Sequence, residues 1–180
     1  MTNVDELLSN NRRFAGTDAK DRVPAIPFLP HKQVYVITCI DPRVDPSDLL
    51  GLQLGDAIVA RNVGGRVTQS VLDDLAWISY LHEEKTPDAD WFEIAVVHHT
   101  DCGSGLMADD ELRQGFVTRG FDDATLRGTA VLDPAVTVAV DVQRILDAEH
   151  VPGEIAVGGY AYDVRTGLVT PVVRPRRRAS

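Results

Sequence analysis

The sequence predicts an α/β fold, a mostly parallel central β-sheet flanked by helices and preceded by an N-terminal helical arm. Three observations carry that prediction. Residues 34–40 and 92–99 are short runs rich in β-branched and other apolar residues, as expected of strands buried on both faces of a parallel sheet. Segments of helical periodicity fall between such runs, the order that builds βαβ units. The chain has 180 residues, 44% hydrophobic and 25% charged, enough to bury one ordinary core.

The elements follow in order. Residues 4–14 read as a short amphipathic helix with Val4, Leu7, Leu8 and Phe14 on one side. Residues 16–32 carry Pro24, Pro27 and Pro30 and read as an extended connection. Together, residues 1–32 form an arm expected to pack elsewhere, on a second subunit. Strands are predicted at 34–40, 57–60 and 92–99. Residues 69–83 place Val71, Leu72, Leu75, Ile78 and Leu81 on one broad helical face. Further helices are predicted at 108–119 and 134–149, and strands at 154–164 and 168–173, with a hairpin across Thr166-Gly167. Trp77, Tyr80 and Trp91 are expected in the core or at an interface. One domain thus spans residues 1–173. Residues 174–180, with Arg174, Arg176, Arg177 and Arg178, read as a basic, disordered tail.

Net charge is −9, which disfavours nucleic acid and anionic membranes as partners. No run approaches the roughly 18 apolar residues of a membrane span. The polar start, MTNVDELLSNNRRF, is unlike a secretory signal, so a cytoplasmic location is expected. In a reducing compartment, two lone cysteines point to metal or catalysis before a disulfide. No CxxC pair supports a thiol redox protein.

Both cysteines sit beyond the carboxyl ends of predicted strands, where sites form in open α/β sheets. The first stretch is Cys39-Ile40-Asp41-Pro42-Arg43. The second is His99-Thr100-Asp101-Cys102-Gly103, bending into Gly103-Ser104-Gly105. Two thiolates and one imidazole suit tetrahedral zinc, and three protein ligands leave a fourth position open, the pattern of a catalytic Zn2+. Asp41 is near enough to take that fourth position conditionally, or to pair with Arg43, whose planar fork fits a carboxylate. His98 alternates with His99 along a strand and is expected to face away. Asp101 reads as a cap on the turn after Cys102.

The set Cys39-x-Asp41-x-Arg43 with His99-x-x-Cys102 resembles the β-class carbonic anhydrases, and Arg61-Asn62-Val63-Gly64-Gly65 resembles that family's R-N-A-G loop. The resemblance is strong from about residue 34 to 105 and looser to about 173, and it is closest to the short actinobacterial and archaeal branch. It implies zinc on Cys39, His99 and Cys102, a catalytic dyad of Asp41 and Arg43, and a backbone N–H from Gly103 near the substrate. It implies reversible hydration of carbon dioxide to bicarbonate, in a homodimer or homotetramer whose N-terminal helices embrace the partner. Position 42 is Pro where the family commonly has Ser or Ala, and Val63 and Gly65 also depart from the common loop. The rival expectations are a carbonyl sulfide or carbon disulfide hydrolase on the same zinc site, and a non-catalytic zinc-binding module.

Overall fold

The computed structural model describes residues 2–23, 25 and 29–179. The first helix, α1 (Asn3–Ala15), is closed at its start by a reciprocal capping box between Thr2 and Asp5. It buries none of its residues, and Val4, Leu7, Leu8 and Phe14 all face outward. Of the predicted extended connection, Pro24 and Pro27 lie outside the described residues, and Ala19–Arg22 forms a 3-10 turn.

The body then alternates β1 (Val34–Cys39), α2 (Pro46–Leu50), β2 (Ala57–Asn62), α3 (Gln69–Lys85), β3 (Glu93–His99), α4 (Asp110–Val117), α5 (Asp123–Thr129), α6 (Pro134–Leu146), β4 (Val157–Tyr162) and β5 (Val169–Arg176). The sheet order is β2-β1-β3-β4-β5. β1 pairs in parallel with β2 and β3, β3 pairs in parallel with β4, and only β5 runs antiparallel. The predicted fold class is therefore the observed one.

Alternate residues of β1 serve opposite faces of the sheet. Tyr35 and Ile37 join Ile94, Val96 and Val157 under Val71 and Leu75 of α3 and Val138, Val142 and Ile145 of α6. Val36 packs with Val97, Val44 and Tyr162 on the other face, which has a smaller cover from α2 and its flanks. Both faces of β1 and β3 are thus dry, which is why their sequences read as near-continuous apolar runs. No described helix is long and apolar enough to cross a membrane.

The structure differs from the sequence reading at several points. The predicted helix 108–119 begins instead as a 3-10 turn, Gly103–Ala108, and α4 starts only after Asp109, whose carboxylate caps Leu112 N–H. Helices α2 and α5 were not predicted. Of the two places expected for Trp77 and Tyr80, the core is ruled out, since both are exposed on α3, and an interface is left; Trp91 stacks on His82 with ring centroids 4.5 Å apart. The tail expected to be disordered from 174 is in the sheet as far as Arg176. Beyond it, the Arg178 guanidinium donates to the carbonyls of Leu146, Ala148 and Val151. Leu146 ends α6, so the cation stands at that helix's carboxyl end, where the dipole favours it.

Candidate metal centre

β1 and β3 are parallel neighbours, so their carboxyl ends lie side by side, and the chain leaves β1 for β2 on one side and reaches β3 on the other. That is the switch point at which α/β sheets open a crevice. Cys39 ends β1 and His99 ends β3. After His99 the chain turns sharply through Asp101, whose φ of 54° lies in the left-handed region, and returns Cys102 beside Cys39. Such strain in a residue other than glycine is characteristic of functional sites.

The ligand atoms of Cys39, His99 and Cys102 lie within 4.8 Å of one another, and all three residues are buried. The two Sγ atoms are 3.8 Å apart. A disulfide needs about 2.05 Å, whereas two sulfurs each about 2.3 Å from a tetrahedral zinc stand about 3.8 Å apart. His99 Nδ1 donates to the Thr100 carbonyl at 2.9 Å, which leaves Nε2 with a lone pair. That Nε2 is buried and has no hydrogen-bond partner among the described residues. An orphaned imidazole nitrogen facing two thiols at zinc spacing fits the ion that the donor set favours.

The two sulfurs share a proton unequally. Cys39 is pushed far above the ordinary thiol range by its hydrogen bond to Cys102 and by burial. Cys102 is pulled down to about 3, first by the same bond from Cys39, with burial opposing and with His99 and Ser104 assisting. A metal that claims both sulfurs must displace that proton, so binding weakens with acid.

Asp41 stands at the edge of this set, its Oδ2 4.0 Å from His99 Nε2. Its Oδ1 accepts the Arg43 backbone N–H at 2.9 Å and Nε–H at 3.0 Å, and its Oδ2 accepts Nη2–H at 2.8 Å. The Arg43 hydrogen bonds hold the Asp41 carboxyl down at about 2 despite partial burial, so it is an acceptor at any neutral pH. Arg43 reaches further than its sequence neighbour. Nη1 donates to Asp101 Oδ2 at 2.7 Å and Nη2 to the Asp101 carbonyl at 2.8 Å. Asp101 is therefore not the cap that its position suggested; it is the second carboxylate on Arg43. Gly103 opens the 3-10 turn beside Cys102, with open space where a side chain would stand.

The end of β2 and the loop after it brace the site. Arg61 donates through Nε to the Cys39 carbonyl at 3.0 Å and through Nη2 to the Asp41 carbonyl at 2.9 Å, which fixes the backbone of the first motif. Gly64 and Gly65 adopt φ of 77° and 65°; a Cβ on Gly65 would lie 2.8 Å from Cys39 N and one on Gly64 2.7 Å from the Thr129 carbonyl. Only glycine lets this loop press on the end of β1. His98 faces away from the sulfurs, as alternation predicted. It binds Thr137 Oγ1 at 2.8 Å, the Gly65 carbonyl at 3.1 Å and Asp141 Oδ2 at 3.3 Å. Asp141 also receives Arg66 Nε at 2.7 Å, Arg66 Nη2 at 3.0 Å and Val67 N–H at 3.1 Å. The sequence reading gave no role to Arg61, Ser104 or Asp141. Arg61 was within reach of it, since it lies one residue before the end of β2, the strand beside β1.

Comparison with known proteins agrees with this geometry. The family model described as carbonic anhydrase matches residues 34–131. β-Carbonic anhydrase 1 of Mycobacterium tuberculosis is 30% identical over 172 residues, covering 96% of this chain and 99% of that protein. A carbon disulfide hydrolase of an Acidianus species is 25% identical, over 91% of this chain and 87% of its own. Among solved structures, a carbonic anhydrase of Streptococcus mutans superposes with a TM-score of 0.72 at 29% identity, covering 96% of this chain and 98% of that one. The match spans more than half the chain and includes both motifs, and on that ground the chain belongs to the β-carbonic anhydrase family.

Proposed function

We propose that this protein catalyses the reversible hydration of carbon dioxide to bicarbonate and a proton, with Cys39, His99 and Cys102 holding one zinc ion. The observation that carries the reading is the orphaned His99 Nε2 set against two sulfurs 3.8 Å apart, with the ionised Asp41 at the edge of the set. Zinc held by such a set supplies Lewis acidity that brings the ionisation of water towards neutral pH.

The protein's own groups do the rest. Asp41 is pinned by Arg43 through both oxygens, so its carboxylate is held out of the Cys39, His99 and Cys102 set. From there Asp41 accepts a hydrogen bond from the attacking oxygen and turns a lone pair of that oxygen towards carbon. Arg43 orients Asp41 and is itself gripped by Asp101. Gly103, exposed beside Cys102, is the proposed backbone N–H donor towards the substrate. Swinging Asp41 onto the metal would require Arg43 to release it, and the enzyme would then be off.

Self-association belongs to the same reading, as a homodimer or homotetramer. The outward row Val4, Leu7, Leu8 and Phe14 on α1 needs a cover that a second copy supplies. A cytoplasmic location is supported by the two free cysteines that the site requires. A second reading, carbon disulfide hydrolysis, is favoured by the Acidianus relative and would use the same donor set. Parallel assays decide. Stopped-flow hydration of carbon dioxide by the zinc-loaded protein is expected to be fast, with little sulfide released from carbon disulfide. The reverse ranking would assign the second activity.

A further inference from the structure

We propose that Ser104 is a positioning residue for the metal centre, donating its hydroxyl proton to the Cys102 thiolate and so setting the direction and charge of that ligand. The inference rests on the zinc reading above. Ser104 is 6% exposed, and its Oγ lies 3.2 Å from Cys102 Sγ. The Val131 N–H donates to the same oxygen, also at 3.2 Å, and occupies one lone pair. The single hydroxyl proton is left over, and Cys102 Sγ is its acceptor among the described residues. A metal-bound thiolate carries no proton of its own, so the direction of the bond is fixed. The arrangement is confined: a Cβ on Gly64 would come within 3.0 Å of Ser104 Oγ.

The other sulfur is treated differently. Cys39 Sγ accepts the Asp41 backbone N–H at 3.4 Å. Apart from Cys102 itself, Cys39 thus has main-chain donors alone, whereas Cys102 has both the backbone N–H and the hydroxyl of Ser104, and only the hydroxyl is deleted by a side-chain substitution there. A hydrogen bond to a thiolate lowers the energy of the sulfur lone pairs, withdraws charge from the metal bond and restricts rotation about Cβ–Sγ.

Cobalt(II) in place of zinc makes this visible through sulfur-to-metal charge-transfer absorption. In wild-type protein the band is expected. In Ser104→Ala it moves to longer wavelength, because the lone pairs rise in energy. The zinc dissociation constant rises roughly ten-fold. Ser104→Thr restores both. A role limited to satisfying Val131 N–H would lower the denaturation midpoint of metal-free protein and leave the band in place. A band unmoved in cobalt-loaded Ser104→Ala overturns the proposal. Should that variant not fold, Ser104→Gly deletes the same hydroxyl and is read the same way. A wild-type protein that shows no thiolate band at all sinks the metal reading itself, and this inference with it.

Discussion

Arg66 with Asp141, and Arg43 with Asp41, are the same chemical pair in two settings. In the first, the carboxylate is 1% exposed and the guanidinium 14%; in the second, the values are 12% and 46%. The buried pair ties α6 to the glycine loop and to His98, the neighbour of His99. The open pair stands beside the Cys39, His99 and Cys102 set, with Asp41 Oδ2 4.0 Å from His99 Nε2. Burial makes a charged pair costly to break and structurally committed, whereas exposure makes it cheap and free for chemistry. Under the proposed function, the first pair is scaffold and the second is machinery.

Breaking each pair should therefore fail in a different way. The largest effect is expected from Asp141→Ala, which leaves Arg66, His98 and Val67 N–H facing an uncompensated gap. It should cost about 3–5 kcal/mol in urea unfolding. Next is Asp41→Asn, which keeps the shape and removes the charge. Hydration of carbon dioxide should fall about 100- to 10,000-fold, while the unfolding free energy stays within about 1 kcal/mol of wild type. If Asp41→Asn unfolds the protein and Asp141→Ala silences it without loss of stability, the comparison is reversed.

Acid sharpens the contrast further. Burial alone would raise the Asp141 pKa, but hydrogen bonds from His98 and Arg66 outweigh it and hold the group below the ordinary carboxylate value. Its folded pKa is thus depressed. The stabilisation is present above the unfolded value of about 3.9 and is lost as pH falls through the folded value. The stability gap between wild type and Asp141→Asn should be constant from neutral pH to about 4 and should narrow only below that, as urea midpoints across pH would show. The smallest effect is expected for Asp101→Ala. Its carboxylate is 78% exposed, so stability should change by about 0.2–1 kcal/mol. Activity should fall only a few-fold relative to Asp41→Asn, since Arg43 keeps its three bonds to Asp41.

What the sequence made legible follows from the same physics. β1 and β3 are dry on both faces, so their residues read as continuous apolar runs, and their carboxyl ends already carried Cys39, Asp41, Arg43, His99 and Cys102. Local spacing sufficed because each half of the site lies within five consecutive residues, 39–43 and 99–103. Helix α2 is short and α5 is polar, so neither leaves an amphipathic trace. Asp101 was misread because its role depends on a positive φ that sends its carboxylate back across the site. Asp141 was missed because its partner Arg66 lies 75 positions away, and Ser104 because a serine two residues after a cysteine carries no signal until the turn places its Oγ 3.2 Å from the sulfur. Arg178 was misread for the same reason: a basic end looks solvated until the end of α6 is seen beneath it.

The claim under everything else is that the purified protein carries zinc on two sulfurs and one nitrogen. X-ray absorption at the zinc edge, taken with metal content per chain, tests it most directly. The account predicts one zinc per chain with two sulfur neighbours at about 2.3 Å, reduced to one sulfur in Cys102→Ser. Protein that purifies active but free of zinc, or a spectrum with no sulfur in the first coordination sphere, would contradict it.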